Sequence, residues 1–153
     1  MHTQQPRYVE QASSQTLAEA IDEYYTINDF LLDPGELGAE VAGLFKAHDA
    51  GHVIFGCDTS IRGEALIDTW TVVGTDAGMK GYMEYFKHPE VNNIFAETGA
   101  WKITVESTRC LPDIVRVLIA SRRMTAKWPW FSYETYLSTP LADIREQYNI
   151  LVV

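Results

Sequence analysis

Apolar residues return every third or fourth position along most of this chain, and prolines and glycines cut the rhythm into helix-sized lengths. Leu17, Ile21, Tyr24 and Tyr25 begin the pattern after Thr16, followed by Phe30, Leu31 and Leu32 before Asp33-Pro34-Gly35 stops it. A second helix is expected from about residue 36 to 55, with Leu37, Val41, Leu44 and Phe45 on one stripe. The turn Gly56-Cys57-Asp58-Thr59-Ser60 offers three cap residues to a third helix over 61–73. A fourth carries Met79, Met83 and Phe86, read as a core stripe or else as the wall of a hydrophobic tunnel or a dimer seam, and ends near His88-Pro89. Trp101, Ile103 and Val105 alternate and suit a short strand or an extended loop. Pro112 then opens a long helix to about Ala126, with Ile114, Val115, Leu118 and Ile119 as its apolar face. Trp128-Pro129-Trp130 breaks it, and Thr139 caps a last helix begun by Pro140. The sum is an all-α, single-domain helical bundle of about seven helices with short loops over 15–153, preceded by a loose polar arm at 1–14.

Length and composition agree. A chain of 153 residues with 46% hydrophobic and 22% charged residues can bury one ordinary core. The formal charge of −9 has the wrong sign for wrapping nucleic acid, so no nucleic-acid partner is expected. Cys57 and Cys110 form no C-x-x-C pair and read as buried thiols in a reducing compartment. No apolar run reaches the ~18–20 residues that span a bilayer, and the first residues have no signal-like apolar core. A cytoplasmic protein is the expectation.

Chemistry concentrates at His48-Asp49-Ala50-Gly51-His52, followed by Glu64. His48 and His52 share one face of a helix, one turn apart, and can grip a single ion. Chance alone gives about 0.1 such pairs for four histidines in this length. Asp49 points about 100° round the helix, either as a further ligand or as an acceptor that fixes an imidazole tautomer. His52 precedes the Gly56 break by about one turn and Glu64 follows it by about one turn. An antiparallel return would therefore bring the two to the same height. Two neutral imidazoles and two carboxylates balance a divalent cation, zinc first, with ferrous iron or manganese also admitted. The alternatives are a surface coincidence or a self-satisfied polar pair. The zincin pattern fails because Asp49 stands where a longer glutamate is needed, and two E-x-x-H motifs of a di-iron bundle are absent.

Two families share this spelling. Ala47-His48-Asp49-Ala50-Gly51-His52 resembles the metal-dependent phosphohydrolases named for a His-Asp doublet, which also use an upstream histidine; only His2 precedes it here. The fuller resemblance is to the ubiquinone (coenzyme Q) biosynthesis protein four family. It rests on His48-Asp49-x-x-His52, eleven residues, then Glu64, with Val53, Gly56, Thr59 and Gly63 around the motif. Ala126-Lys127, Tyr133-Glu134 and Pro140-Leu141-x-x-x-Arg145, ending near Ile150, look like the closing segment of that family. The likeness covers about half the chain, over 36–75 and 112–150. It implies a helical metalloprotein, often dimeric, with His48, Asp49, His52 and Glu64 as ligands of zinc or a similar cation. It also implies a prenylated aromatic lipid as ligand and C1 decarboxylation, with hydroxylation, of a prenylated hydroxybenzoate. The alternative it implies is a non-catalytic scaffold that binds prenyl lipid and other quinone-biosynthesis enzymes, peripheral at the inner membrane. Gly51 stands where the family carries a bulky aromatic, so a gap beside the metal is expected.

Two further groups have both a bland and a functional reading. Lys102, Arg109, Arg116, Arg122, Arg123 and Lys127 are either a solvated helix face or a patch for anionic headgroups. Trp128, Trp130, Phe131 and Tyr133 are either core or an interfacial anchor.

Overall fold

The computed structural model describes residues 5–29, 31, 38–85, 87 and 108–153. Every regular element among them is helical, and the fold is all-α. Helix α1 spans Leu17–Ile27, α2 Ala39–Phe55, α3 Ile61–Gly74, α4 Gly78–Tyr85, α5 Leu111–Ser121 and α6 Leu141–Tyr148. Short 3-10 segments occupy Arg7–Val9 and Trp130–Tyr136. The alternation at Trp101, Ile103 and Val105, with Phe30, Leu32, Leu37, Phe86, His88-Pro89 and Lys102, lies outside the described residues.

Helix α1 starts on a capping box. The Thr16 hydroxyl accepts from Glu19 N, and the Glu19 carboxylate accepts from Thr16 N at 2.9 Å. Each end of the box satisfies a backbone donor that the helix leaves open. Helix α2 is the axis of the domain. Its residues from Ala47 to Phe55 are all buried, which is possible only for a helix surrounded by others. Gly56 ends it in the left-handed region at φ +68°, where glycine alone is unstrained. Cys57 N then donates to His52 O at 2.8 Å and closes the final turn. Ser60 caps α3 by accepting from Gly63 N, and Asp58 accepts from Ser60 N. Helix α3 returns antiparallel to α2: His52 faces Glu64, while Gly51, one residue earlier, lies against Ile67. Phe55 and Trp70 stack between the two at 4.5 Å.

Arg145 of α6 locks this centre. Its guanidinium is 1% exposed and donates to the carbonyls of Val53 and Ile54 at the end of α2, and to those of Tyr8 and Glu10. Burial draws its pKa down to about 10, yet the carbonyls at a helix C-terminus offer the partial negative charge a buried cation needs.

That anchorage corrects the expected loose arm. From Arg7 onward the start of the chain is mostly exposed but pinned to the core through Tyr8 and Ser13. Tyr8 is buried edge-on against Tyr24, and the Glu23 carboxylate accepts from Arg7 N and Tyr8 N. The supposed core stripe is corrected too: Met79 and Met83 are 58% and 53% exposed. Helix α4 turns its Tyr82 side to α3 instead, the phenol donating to Asp68. Helix α5 stops at Ser121 rather than near 126, and the backbone beyond it pairs with the end of α6 through Thr125 N and Tyr148 O. Its buried residues are Val117 and Ala120, whereas Val115 and Ile119 of the expected face stand half exposed. Asp113 fixes that rotation by accepting from Arg62 of α3 at 2.7 Å and from Arg116 at 2.8 Å. Small residues at 117 and 120 let α5 lie close on α3. The last helix has Pro140 rather than Thr139 at its cap position, without a side-chain hydrogen bond. Among the described residues no helix is long and apolar enough to cross a membrane.

Candidate metal centre

His48 and His52 sit on the buried stretch of α2, their rings edge to face at 4.8 Å between centroids. Glu64 comes from the first turn of α3. One ligand atom from each of the three can be chosen so that all lie within 4.8 Å of one another. His52 Nε2 is 3.4 Å from Glu64 Oε1. That matches the ~3.3 Å edge of a tetrahedron whose ligands stand ~2.0–2.1 Å from zinc.

Each part of this geometry has a local cause. The α2 cap turn places Cys57 O where His52 Nδ1 can donate to it at 3.2 Å. This fixes the tautomer with the lone pair on Nε2, the arrangement a metal-binding imidazole requires. His52 is wholly buried and its Nε2 makes no hydrogen bond in the structure. A buried nitrogen lone pair left without a donor fits a cation at that position. Burial disfavours the charged imidazolium, but the Glu64 carboxylate outweighs it and the His52 pKa is raised. Glu64 is the mirror image: burial pushes it up, His52 and His48 pull it down, and the net shift is downward. The Glu64 carboxylate thus favours positive charge beside His52 Nε2, which a proton or a metal cation could supply. Glu64 is 38% exposed at its side chain against 0% for His52 and 8% for His48, so the site opens past α3.

Asp49, the fourth residue expected here, stands to one side of the three. Its Oδ2 accepts from the Tyr25 hydroxyl at 2.7 Å, and its Oδ1 is 3.8 Å from His48 Nδ1. The expected gap at Gly51 is absent. A Cβ there would meet Ile67 Cδ1 at 2.9 Å and Trp130 Cζ3 at 3.0 Å. The indole of Trp130 fills the space and stands edge-on to His48 at 6.3 Å. Trp130 is positioned by its backbone N–H, which donates to the Asp76 carboxylate at 2.9 Å. Trp128 is buried as well, whereas Phe131 is 59% exposed.

Asp68, one turn beyond Glu64 on the same face of α3, was not singled out from the sequence. Burial lifts its pKa to about 6, against the opposing pull of His48. Its spacing from Glu64 was the available signal. Nothing local marked Tyr25 or Trp130, which arrive from α1 and from a segment some eighty residues after α2. Of the basic residues, Arg116 is paired with Asp113, Lys127 donates to Val73 O, and Arg122 and Arg123 are exposed. His2, the upstream histidine of the phosphohydrolase reading, lies outside the described residues. No family model matches the chain, and neither do curated proteins or solved structures.

Proposed function

We propose that this chain is a mononuclear metalloprotein of quinone biosynthesis that acts on a prenylated aromatic acid. The observation that carries the reading is the cluster of His48, His52 and Glu64, its two imidazoles buried and its ligand atoms within 4.8 Å of one another. Two neutral imidazoles and one carboxylate suit zinc, and also ferrous iron or manganese. When bound, such a cation supplies Lewis acidity toward a carboxylate or phenolate oxygen. His48, His52 and Glu64 would hold it, with His52 oriented by the Cys57 carbonyl and Glu64 at the open side. Trp130 and Ile67 fill the space beside Gly51.

The reaction assigned by the family resemblance is loss of the C1 carboxyl as carbon dioxide, with a hydroxyl taking its place. That exchange is a two-electron oxidation of the ring, and its oxidant must come from outside the chain. A purified sample given a polyprenyl-hydroxybenzoate and dioxygen should release carbon dioxide. Release should stop on chelation and return with zinc, iron or manganese. Release that is indifferent to chelation ends the reading.

The second reading is a prenyl-lipid-binding scaffold, peripheral at the membrane and open to other enzymes of the pathway or to a second copy of itself. Met79, Met83, Leu111, Val115 and Ile119 favour it, since all are about half exposed and offer apolar surface on α4 and α5. Prenyl-lipid binding that survives His52→Ala, without turnover in the parent protein, selects this reading.

A further inference from the structure

We infer that Asp68, with Tyr82 behind it, is the specificity-determining contact of the site: its carboxylate accepts the ring hydroxyl of an aromatic acid whose carboxyl end lies at the metal cluster. The inference rests on the function proposed above and deepens it. Asp68 stands one turn beyond Glu64 on the same face of α3, about 6 Å further along the axis. Burial holds its pKa up at about 6, and the charges that act on it are those of His48, which pulls it down, then of Glu64 and His52. Its carboxyl therefore faces the candidate ligands, yet it is outside the group whose ligand atoms lie within 4.8 Å of one another. A carboxylate drawn out of water in this way needs donors. Among the described residues it accepts one hydrogen bond, from the Tyr82 hydroxyl of α4 at 3.3 Å, which is long against the ~2.5–3.0 Å of a well-made O–H···O bond. An ionised carboxylate has about four lone-pair sites, so Asp68 keeps acceptor capacity for a closer O–H donor.

The spacing suits the ligand class. One turn of helix is close to the distance between groups at opposite ends of a benzene ring, so an acid held at the cluster by its carboxylate would bring a para hydroxyl to Asp68. An acid without that hydroxyl leaves Asp68 with only its long bond to Tyr82. A polar contact of this kind rejects the analogue that lacks the group it is built to meet. Met79 and Met83 lie on either side of Tyr82 in sequence and are half exposed, so α4 offers a tail apolar surface near the same contact.

The test uses the zinc-loaded full chain and two probes, with binding measured by calorimetry. One probe is para-hydroxybenzoate with a single prenyl group beside the hydroxyl, and the other is the same acid without the hydroxyl. The parent should bind the hydroxylated acid about 10–100-fold more tightly. Asp68→Ala should abolish that preference and leave the zinc content and the affinity for the other acid unchanged. Tyr82→Phe should reduce the preference by less. A preference that survives Asp68→Ala intact overturns the inference alone, as does a parent that binds the two acids equally. Losses of equal size for both acids would mean that Asp68 only ties α4 to α3, and would overturn it too. A parent that takes up no zinc, or binds neither acid, overturns the function proposed above and the inference with it. Should Asp68→Ala not fold, Asp68→Asn decides, because the amide keeps the shape and loses the charge-assisted bond. A reduced preference then supports the inference, and an unchanged one refutes it.

Discussion

The two faces of α3 live under different rules. Toward α2, the side chains beyond the first turn are enclosed: Ile67 and Trp70 are 0% exposed, as is His52 opposite, and Glu64 alone of the candidate ligands reaches the surface. Toward the helices on its other side, α4 and α5, half of the large apolar residues remain in water, among them Met83 at 53% and Leu111 at 55%. The candidate ligands belong to the closed side, where low dielectric strengthens the His52–Glu64 attraction and packing fixes the rings. The open side has apolar surface that the bundle does not consume.

Breaking the closed side should have the largest effects. His52→Ala removes one ligand and the nitrogen held by Cys57 O. Metal content by mass spectrometry should fall to background, a loss of affinity beyond the ~100-fold typical of outer partners. Near-normal loading would separate the cluster from metal binding. Arg145→Met should cost about 3–5 kcal/mol in urea unfolding, because carbonyls of α2 and of residues 8–10 lose their buried donor. A cost under about 1 kcal/mol would mean that water replaces the guanidinium. A matched pair sharpens the contrast between faces. Ile67→Ala should cost about 2–5 kcal/mol, and Ile119→Ala, at 46% exposure, no more than about 0.5 kcal/mol. Equal costs would show that the α5 stripe is covered in solution.

The smallest effect is the most diagnostic, and it is a matter of sign. In the metal-free protein the raised His52 pKa contributes stability below the ordinary imidazole pKa of 6.5 and loses it as pH rises through the raised value. The lowered Glu64 pKa contributes above its ordinary 4.5 and loses it as pH falls through the lowered value. The pair therefore helps most between those two values. A cation needs neutral imidazole, so its stabilisation grows with pH. The melting-temperature gap between zinc-loaded and metal-free protein should widen from pH 6 to pH 8. A gap that narrows would remove imidazole from the ligand set.

Much of this was legible in the residues. Thr16 and Glu19 spell the cap of α1, Gly56 spells the end of α2, and the His48/His52 interval places two rings on one face. Those signals are local, confined to one or two turns. What was missed depends on partners distant in sequence. Val115 and Ile119 look like core because spacing cannot say which of two apolar stripes a helix buries. The Arg62–Asp113 contact and the small Val117 and Ala120 decide that for α5. Gly51 looks like a gap until Trp130 arrives from another segment to fill it. Arg145 could be read as part of a closing motif, but its partners are backbone carbonyls, which no side chain announces. Asp49 fits a ligand pattern by adjacency, and nothing beside it in sequence announces the Tyr25 hydroxyl that donates to it from α1.

The long reach of Arg145 also sets a timetable. Val53 and Ile54 wait for a hydrogen-bond donor encoded 92 and 91 positions later. During synthesis the turn that aims His52 cannot reach its final form until residue 145 has left the ribosome. If the cluster takes a metal ion, an ion captured earlier would meet a turn that Arg145 has not yet locked.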